Sequence, residues 1–343
     1  MEKFLTDVCD ITTGKLDSNA AVDNGRYPFF TCAPQPLQID NYEFDEDAIL
    51  LARNNAQGNF HINRYNGKFN AYQRTYVITA KTGYDIDYIK YAIEMSLSHL
   101  KKIAQGSQTK FLTMTMLNDF RVEDRDYAEQ CELIASVKAI DNKISINNTI
   151  NDNLQQQMCL IYEYMMYQVK TKELDGSHTT VSELSEVITG KEDANFSIPN
   201  GKYNFFTCSN DTLKCDEYSF DSSSILIAGN GTFNVKHFSG KFNAYQRTYI
   251  LTPQKEYYAL LYLASLYRVN AFKSTSAGSI IKFITKNDIE NIPVFIPNDA
   301  DLLTQLNKLV AMQEKNISEN EELTALRDWL LPMLMNGQAT ISD

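Results

Sequence analysis

Residues 67–76 read GKFNAYQRTY, and residues 240–249 read GKFNAYQRTY again. Two identical decamers 173 positions apart, in surroundings that mostly differ, mark an internal duplication. Working outward from them extends the match. ITTGK at 11–15 faces VITGK at 187–191, PFFTC at 28–32 faces NFFTC at 204–208, and YEFDEDAILLARN at 42–54 faces YSFDSSSILIAGN at 218–230, all at an offset of 176. The offset then falls by three, because the first copy carries three extra residues after Asn54. Further on, GSQTKFLTMTMLNDFRV at 106–122 answers GSIIKFITKNDIENIPV at 278–294. The order of blocks is kept, so the chain holds two homologous modules, roughly 1–128 and 178–298. The period is too long for a solenoid.

A different kind of segment follows each module. Residues 129–172 contain no Gly and no Pro, and their apolar positions Leu133, Ile134, Val137, Ile140, Ile144, Leu154, Met158, Ile161 and Met165 fall at three-and-four spacing. That pattern predicts a long amphipathic helix. Residues 300–335 repeat it with Leu302, Leu303, Leu306, Leu309, Val310, Leu323, Leu326, Leu330 and Leu334, and Asn336-Gly337 supplies a stop. Pro332 predicts a kink or an early end near Leu331. Some forty residues of helix span roughly 60 Å. Asp175-Gly176-Ser177 breaks the chain before the second module. Two such helices in one chain are expected to pair antiparallel and hold the modules at opposite ends about a pseudo-twofold axis. Asn147, Asn148 and Asn151 in one helix and Asn316 and Asn320 in the other put polar groups on the seam, where buried amides set register and partner; a solvated stretch is the alternative.

Within a module, IDNYEFDEDAILLARN alternates and then runs apolar as a strand does. KFNAYQRTYVITA alternates Phe69, Ala71, Thr75 and Val77 against Asn70, Tyr72, Arg74 and Tyr76, the pattern of short strands. DYIKYAIEMSLSHLKKIA, with its counterpart YYALLYLASLYRVNAF, reads as a helix. The expected fold class is therefore α+β: domain one over 1–128, a helix over 129–174, domain two over 175–299 and a helix over 300–343.

No catalytic signature emerges. There is no P-loop, HExxH or GxSxG, no Asn/Asp-Pro-Pro-aromatic motif and no nuclease-like cluster of acids with a lysine. Gly229-Asn230-Gly231 faces Arg53-Asn54-Asn55 in the first copy and reads as a hairpin turn rather than a nucleotide-binding loop. The six cysteines lack CxxC pairs and the four histidines lack ligand spacing, which argues against zinc and for reduced thiols in a cytoplasmic protein. No apolar run reaches the length of a membrane span, and the first twenty residues lack a signal-peptide core.

The net charge of −11 hides an uneven distribution. Residues 53–110 hold nine Lys/Arg against three acids, and residues 228–286 hold eight against one, while residues 1–52 hold three bases and ten acids. A basic face on an acidic body can bind phosphates whatever the total. Beside that charge stand hydrogen-bonding side chains suited to base edges and phosphates. The first copy offers Arg53, Asn54, Asn55, Gln57, Asn59, His61, Arg64, Lys68, Asn70, Tyr72, Gln73 and Arg74, with Gln108 and Lys110 downstream. The second offers Asn230, Thr232, Asn234, Lys236, His237, Lys241, Asn243, Tyr245, Gln246 and Arg247, with Lys282 downstream. Identical residues suit the shared fold or the phosphate backbone. The divergent turns, ARNNAQGNFHINRYN against AGNGTFNVKHFS, suit distinct base readout. His61 and His237 sit near matching places.

The whole chain resembles the specificity subunits of type I restriction-modification systems. The resemblance is carried by the duplicated modules, the two helices, the GSQTKF and GSIIKF blocks with FRV and IPVFIP downstream, and the terminal LTALRDWLLPMLMNGQ. It implies that each module is a target recognition domain reading one half of a bipartite double-stranded DNA sequence. The helices would set the unread spacer and dock two methyltransferase subunits, which bring S-adenosylmethionine and methylate adenine. The resemblance also implies that restriction-translocase subunits could join. The chain itself would bind no cofactor or metal and catalyse nothing. A stand-alone two-module DNA-binding regulator and a protein-binding scaffold are the alternatives.

Overall fold

The computed structural model describes residues 1–55, 60–104, 110–199, 201–275 and 283–337. The chain divides into two compact units, one of Met1–Ile144 with Leu323–Asp343 and one of Ser145–Glu322. Each unit thus combines one module with part of both long helices.

In the first unit a six-stranded sheet runs in the order Cys9–Thr13, Thr75–Ala80, Phe44–Ala52, Ile62–Ala71, Tyr27–Phe30, Leu37–Ile39. All neighbours are antiparallel except Tyr27–Phe30 beside Ile62–Ala71. The apolar run at the centre has a physical cause: the second half of the Phe44–Ala52 strand, from Ala48 on, is buried on both faces. Ile49 and Leu51 pack with Ile89 and Ile93 of the Ile86–Ile103 helix. Ala48 and Leu50 pack with Phe30, Phe69 and Val77 on the other face. Asp85 caps that helix, accepting from the backbone of Asp87 and Tyr88.

The second unit repeats this order with Val187–Thr189, Thr248–Leu251, Phe220–Ala228, Val235–Ala244, Tyr203–Phe206 and Leu213–Cys215. Its helix, Tyr258–Thr275, is buried all the way round from Tyr258 to Ala264, which is why that segment lacks a polar stripe. Each module is closed by a short antiparallel pair between its first and last strands: Glu2–Phe4 with Arg121–Glu123, and Gly176–Thr180 with Pro293–Pro297.

The decamer straddles a turn. Ile62–Ala71 ends, Thr75 N donates to Tyr72 O at 2.8 Å, and the next strand starts at Thr75. The second copy does the same, with Thr248 N on Tyr245 O. Nearly every residue of the decamer has a frame-building task, and each is done twice. Gly67 and Gly240 take φ of +130° and +131°, where only glycine is unstrained. Phe69 and Phe242 are fully buried and stack on Phe44 and Phe220 at 5.1 Å. Asn70 and Asn243 accept from the amides of Ala71 and Ala244. Thr75 and Thr248 donate to the carbonyls of Phe30 and Phe206. The backbone of Ala71 and Ala244 passes so close to Gly14 and Gly190 that a Cβ there would lie 1.9 and 2.2 Å from the carbonyl oxygens.

The long helices run over Tyr127–Thr171 and Ala300–Met335. Asp126 and Asp299 cap them, accepting from Glu129 N and from Asp301 and Leu302 N. Pro332 does not end the second helix, which continues to Met335 before Gly337 turns left-handed at φ +66°. The proline removes only the bond to the carbonyl of Asp328, an exposed residue that water can satisfy. In each unit the two helices lie antiparallel. In the first, Asp141 meets Arg327 at 3.2 Å while Ile134 and Val137 share a core with Leu331 and Leu334. In the second, Asn147 meets Asn320 and Asn151 meets Asn316, both at 2.9 Å. Asn147 and Asn151 are buried, Asn316 and Asn320 are half-buried, and Asn148 is exposed at the edge of the seam, each bonded to an amide of the facing helix. Gln313 joins them by donating to Asn151 O.

Candidate nucleic-acid interface

The turn between the two central antiparallel strands organises the site. In the first module Arg53 N donates to Arg74 O at 2.9 Å, and Arg53 O accepts from Leu112 N at 2.8 Å. Asn54 and Asn55 pair with Phe111 and Lys110. In the second module Gly229 N donates to Arg247 O and Gly229 O accepts from Ile284 N, both at 2.9 Å. The last tyrosine of each decamer fixes the same segment: Tyr76 OH donates to Leu112 O and Tyr249 OH to Ile284 O, each at 3.0 Å. Three sequence blocks that lie far apart in the chain therefore converge twice. They are the divergent turn, the exposed Gln-Arg of the decamer, and the segment after the Gly-Ser block.

Several predicted residues meet here. In the first copy Arg53 lies over the Tyr76 ring at 5.8 Å, Asn54 accepts from the Cys32 thiol, and Lys110 stands on the strand paired to the turn. Gln73 and Arg74 are exposed beside them. In the second copy Asn230, Gln246, Arg247, Tyr249, Phe283 and Thr285 line one cavity of about 360 Å³. Gln246 is steadied by Asp193 Oδ1 at 2.9 Å. Gln57, Asn59, Gln108 and Lys282 lie outside the described residues.

Other predicted residues are committed elsewhere. His237 is only 9% exposed. Its Nε2 lies 2.9 Å from Gln313 Oε1 and its Nδ1 3.2 Å from Glu314 Oε1, and its ring packs edge-on to Tyr262. It fastens the sheet to the second long helix, so its ring nitrogens are engaged within the unit. Its counterpart is Arg64, not His61: Arg64 pairs with Ile49 and His237 with Ile225, the same place in each sheet. Arg64 does the equivalent work in the first unit. It bridges Asp47 and Asp87, and Asp87 also binds Lys138 of the first long helix. Burial pushes the Asp87 carboxyl up, but Lys138 and Arg64 outweigh it and hold it below the usual carboxylate range. His61 is half-buried at the base of the turn, where its carbonyl accepts from Ala52 N.

Thr232, Asn234 and Lys236 staple the second turn to the Cys208–Asp211 loop. Thr232 Oγ1 donates to Cys208 O, Asn234 Nδ2 to Cys208 O and Ser209 O, and Lys236 Nζ to Ser209 O at 2.9 Å. Burial pulls the Lys236 ammonium down to about 8. Lys68 and Lys241 are exposed and lie over the rings of Tyr42 and Tyr218 at 4.6 and 4.7 Å. Tyr72 and Tyr245 are half-buried, their amides donating to Phe30 O and Phe206 O. Phe283 and Thr285, which the sequence did not single out, line the same cavity as Asn230 and Gln246. The Lys-Phe pairing of the two late blocks was the available signal.

Among the described residues no group of three or more His, Cys, Asp and Glu could hold a metal ion, and no helix is long and apolar enough to cross a membrane. All six cysteines are free.

Two copies of one turn-centred surface, each framed by the same six-stranded sheet, define a duplicated recognition architecture. A family model described as the type I restriction modification DNA specificity domain matches residues 1–156 and again 178–322, and the chain belongs to that family. The type I restriction enzyme EcoDI specificity subunit of Escherichia coli is 34% identical over 174 residues, which is 49% of this chain and 39% of that relative. The match therefore spans well under half the relative's length. Among solved structures, the type I restriction-modification S subunit from M. genitalium aligns over 97% of this chain and 95% of that one, with a TM-score of 0.57 at 17% identity. That likeness is one of fold.

Proposed function

We propose that the chain is the DNA-reading subunit of a type I restriction-modification complex. Each module reads one half of a bipartite target, and the helices set the spacer and dock methyltransferase subunits. One observation carries this reading. An arginine identical in the two copies, Arg74 or Arg247, is exposed where a turn that differs between the copies meets the segment ending at Leu112 or Ile284. Constant cation beside variable hydrogen-bonding groups is what a pair of half-site readers needs: phosphate contacts position, base contacts specify. The family match to both modules supports it.

The surface of the long helices supports the partner subunits. Leu160, Tyr164 and Tyr167 stand exposed at helical spacing on the first helix, within the second unit. Leu326 and Trp329 stand exposed on the second helix, within the first unit. Exposed aromatic anchors of this kind suit a partner's apolar pocket, and one set per unit suits two partner subunits. Those partners would bring S-adenosylmethionine and the chemistry, in the cytoplasm, while this chain holds no cofactor.

Deleting the gene and mapping modified bases across the host genome tests the reading. Loss of methylation at one bipartite motif is expected. An unchanged methylation pattern would favour the stand-alone regulator instead.

A further inference from the structure

We propose that Phe283 is a specificity-determining residue of the second module, contacting the C5-methyl group of a pyrimidine in the major groove of its half-site. The inference rests on the function proposed above and goes further by naming a residue and the base feature it reads.

Phe283 is 65% exposed, an unusual setting for a phenylalanine in a fixed frame. The frame is fixed on its C-terminal side. Ile284 N donates to Gly229 O and Ile284 O accepts from Tyr249 OH. Thr285 then caps the Lys286–Glu290 helix through a reciprocal pair with Asp288. The ring therefore projects from an anchored backbone. It shares its cavity with Asn230, Gln246 and Arg247, so an apolar surface sits among donors and a cation. In the major groove the thymine methyl is the one apolar feature among the base edges, and side-chain apolar contact is how it is read. The cation nearby accounts for phosphate attraction but not for an exposed ring, whose solvent exposure has no benefit in the free chain.

The first copy contrasts. Phe111, at the matching place in the Lys-Phe block, is half-buried and sits in strand pairing with Asn54. Methyl reading by this aromatic is thus a property of the second half-site alone, and one source of an asymmetric target.

The test is methylation mapping in host cells carrying the full-length chain as wild type, Phe283→Ala or Phe283→Leu. With Phe283→Ala, methylation should spread to sites in which one thymine-containing pair of one half-site is replaced, with discrimination there falling about tenfold. The other half-site and the spacer should stay as in wild type. Phe283→Leu, which keeps an apolar surface, should retain most of the preference. Unchanged preference in Phe283→Ala would overturn the proposal, as would loss of all methylation in both variants, which would mark a structural role. If wild-type cells themselves show no motif that depends on the gene, the functional reading fails first and this inference with it.

Discussion

Asn147 and Asn320 join the two long helices side chain to side chain. Asn147 is fully buried and donates from Nδ2 to Asn320 Oδ1 at 2.9 Å and to Glu319 Oε2 at 2.8 Å. Asn320 in turn donates to Asn148 Oδ1 at 2.9 Å. One turn along, Asn316 donates to Asn151 Oδ1, so three amide-to-amide bonds cross the seam as a ladder in one register, with Asn147 Oδ1 left buried and unpaired. A shift of either helix would bury unpaired amides, so the ladder selects register at the expense of apolar burial.

Asn147→Ala should destabilise the chain by about 1–2 kcal/mol in urea unfolding, the range for a buried hydrogen-bonded group. A double-mutant cycle with Asn320→Ala should give a coupling of about 0.5–1.5 kcal/mol. Coupling within error of zero would mean that the ladder does not hold the helices in register.

The Arg64–Asp87–Lys138 network predicts an acid-dependent term. The Asp87 carboxyl sits below its ordinary value in the fold. Its contribution is therefore present above the unfolded-state value near 4 and lost as pH falls through the folded-state value. Asp87→Asn should cost about 1.5–3 kcal/mol at neutral pH, and the difference from wild type should shrink below pH 4. A difference that persists undiminished at pH 3 would contradict the ion-pair account.

Lys236 gives the opposite sign. Its folded-state value of about 8 lies below the ordinary 10.5. The unfolded chain binds the proton more tightly, so the penalty is full below about pH 8 and fades as pH rises toward 10.5. Carbon-13 reductive methylation should show one lysine with a midpoint near 8, lost in Lys236→Met. If all lysines titrate near the ordinary value, desolvation of the half-buried Lys236 ammonium is contradicted.

Arg74→Ala and Arg247→Ala should leave stability within about 0.5 kcal/mol, since both side chains are exposed. Each should weaken DNA binding similarly across sequences and lower the salt slope by about 1. Gly14→Ala is the reverse case. A Cβ 1.9 Å from Ala71 O forces backbone apart, and a loss of about 3 kcal/mol or more is expected without any direct DNA effect. Thermal unfolding and salt-titrated binding on the same samples separate the two.

Much of this fold was legible because duplication and periodicity are local signals. The decamer announced two modules, and the three-and-four spacing announced helices whose observed ends, Tyr127–Thr171 and Ala300–Met335, lie within a few residues of the reading. What the sequence concealed depends on distant partners. The alternation through Tyr72–Arg74 hid a turn, because one closed by Thr75 N on Tyr72 O leaves no break in pattern. The sequence could not show that Arg64 is held by Asp87, itself bound to Lys138, or that His237 is held by Gln313 and Glu314. Pro332 predicted a kink or an early stop, but the helix runs on to Met335, because a proline in the last turn removes only one bond, to the carbonyl of the exposed Asp328.

The central claim is that each copy reads its own half of a two-part target through its own turn. Altering only the first turn, by Arg53→Ala with Asn54→Ala, and then mapping methylated adenines in host DNA tests it most directly. Relaxed sequence at one half-site, with the other half-site and the spacing intact, is the predicted result. Both half-sites relaxing together, or neither, would contradict it.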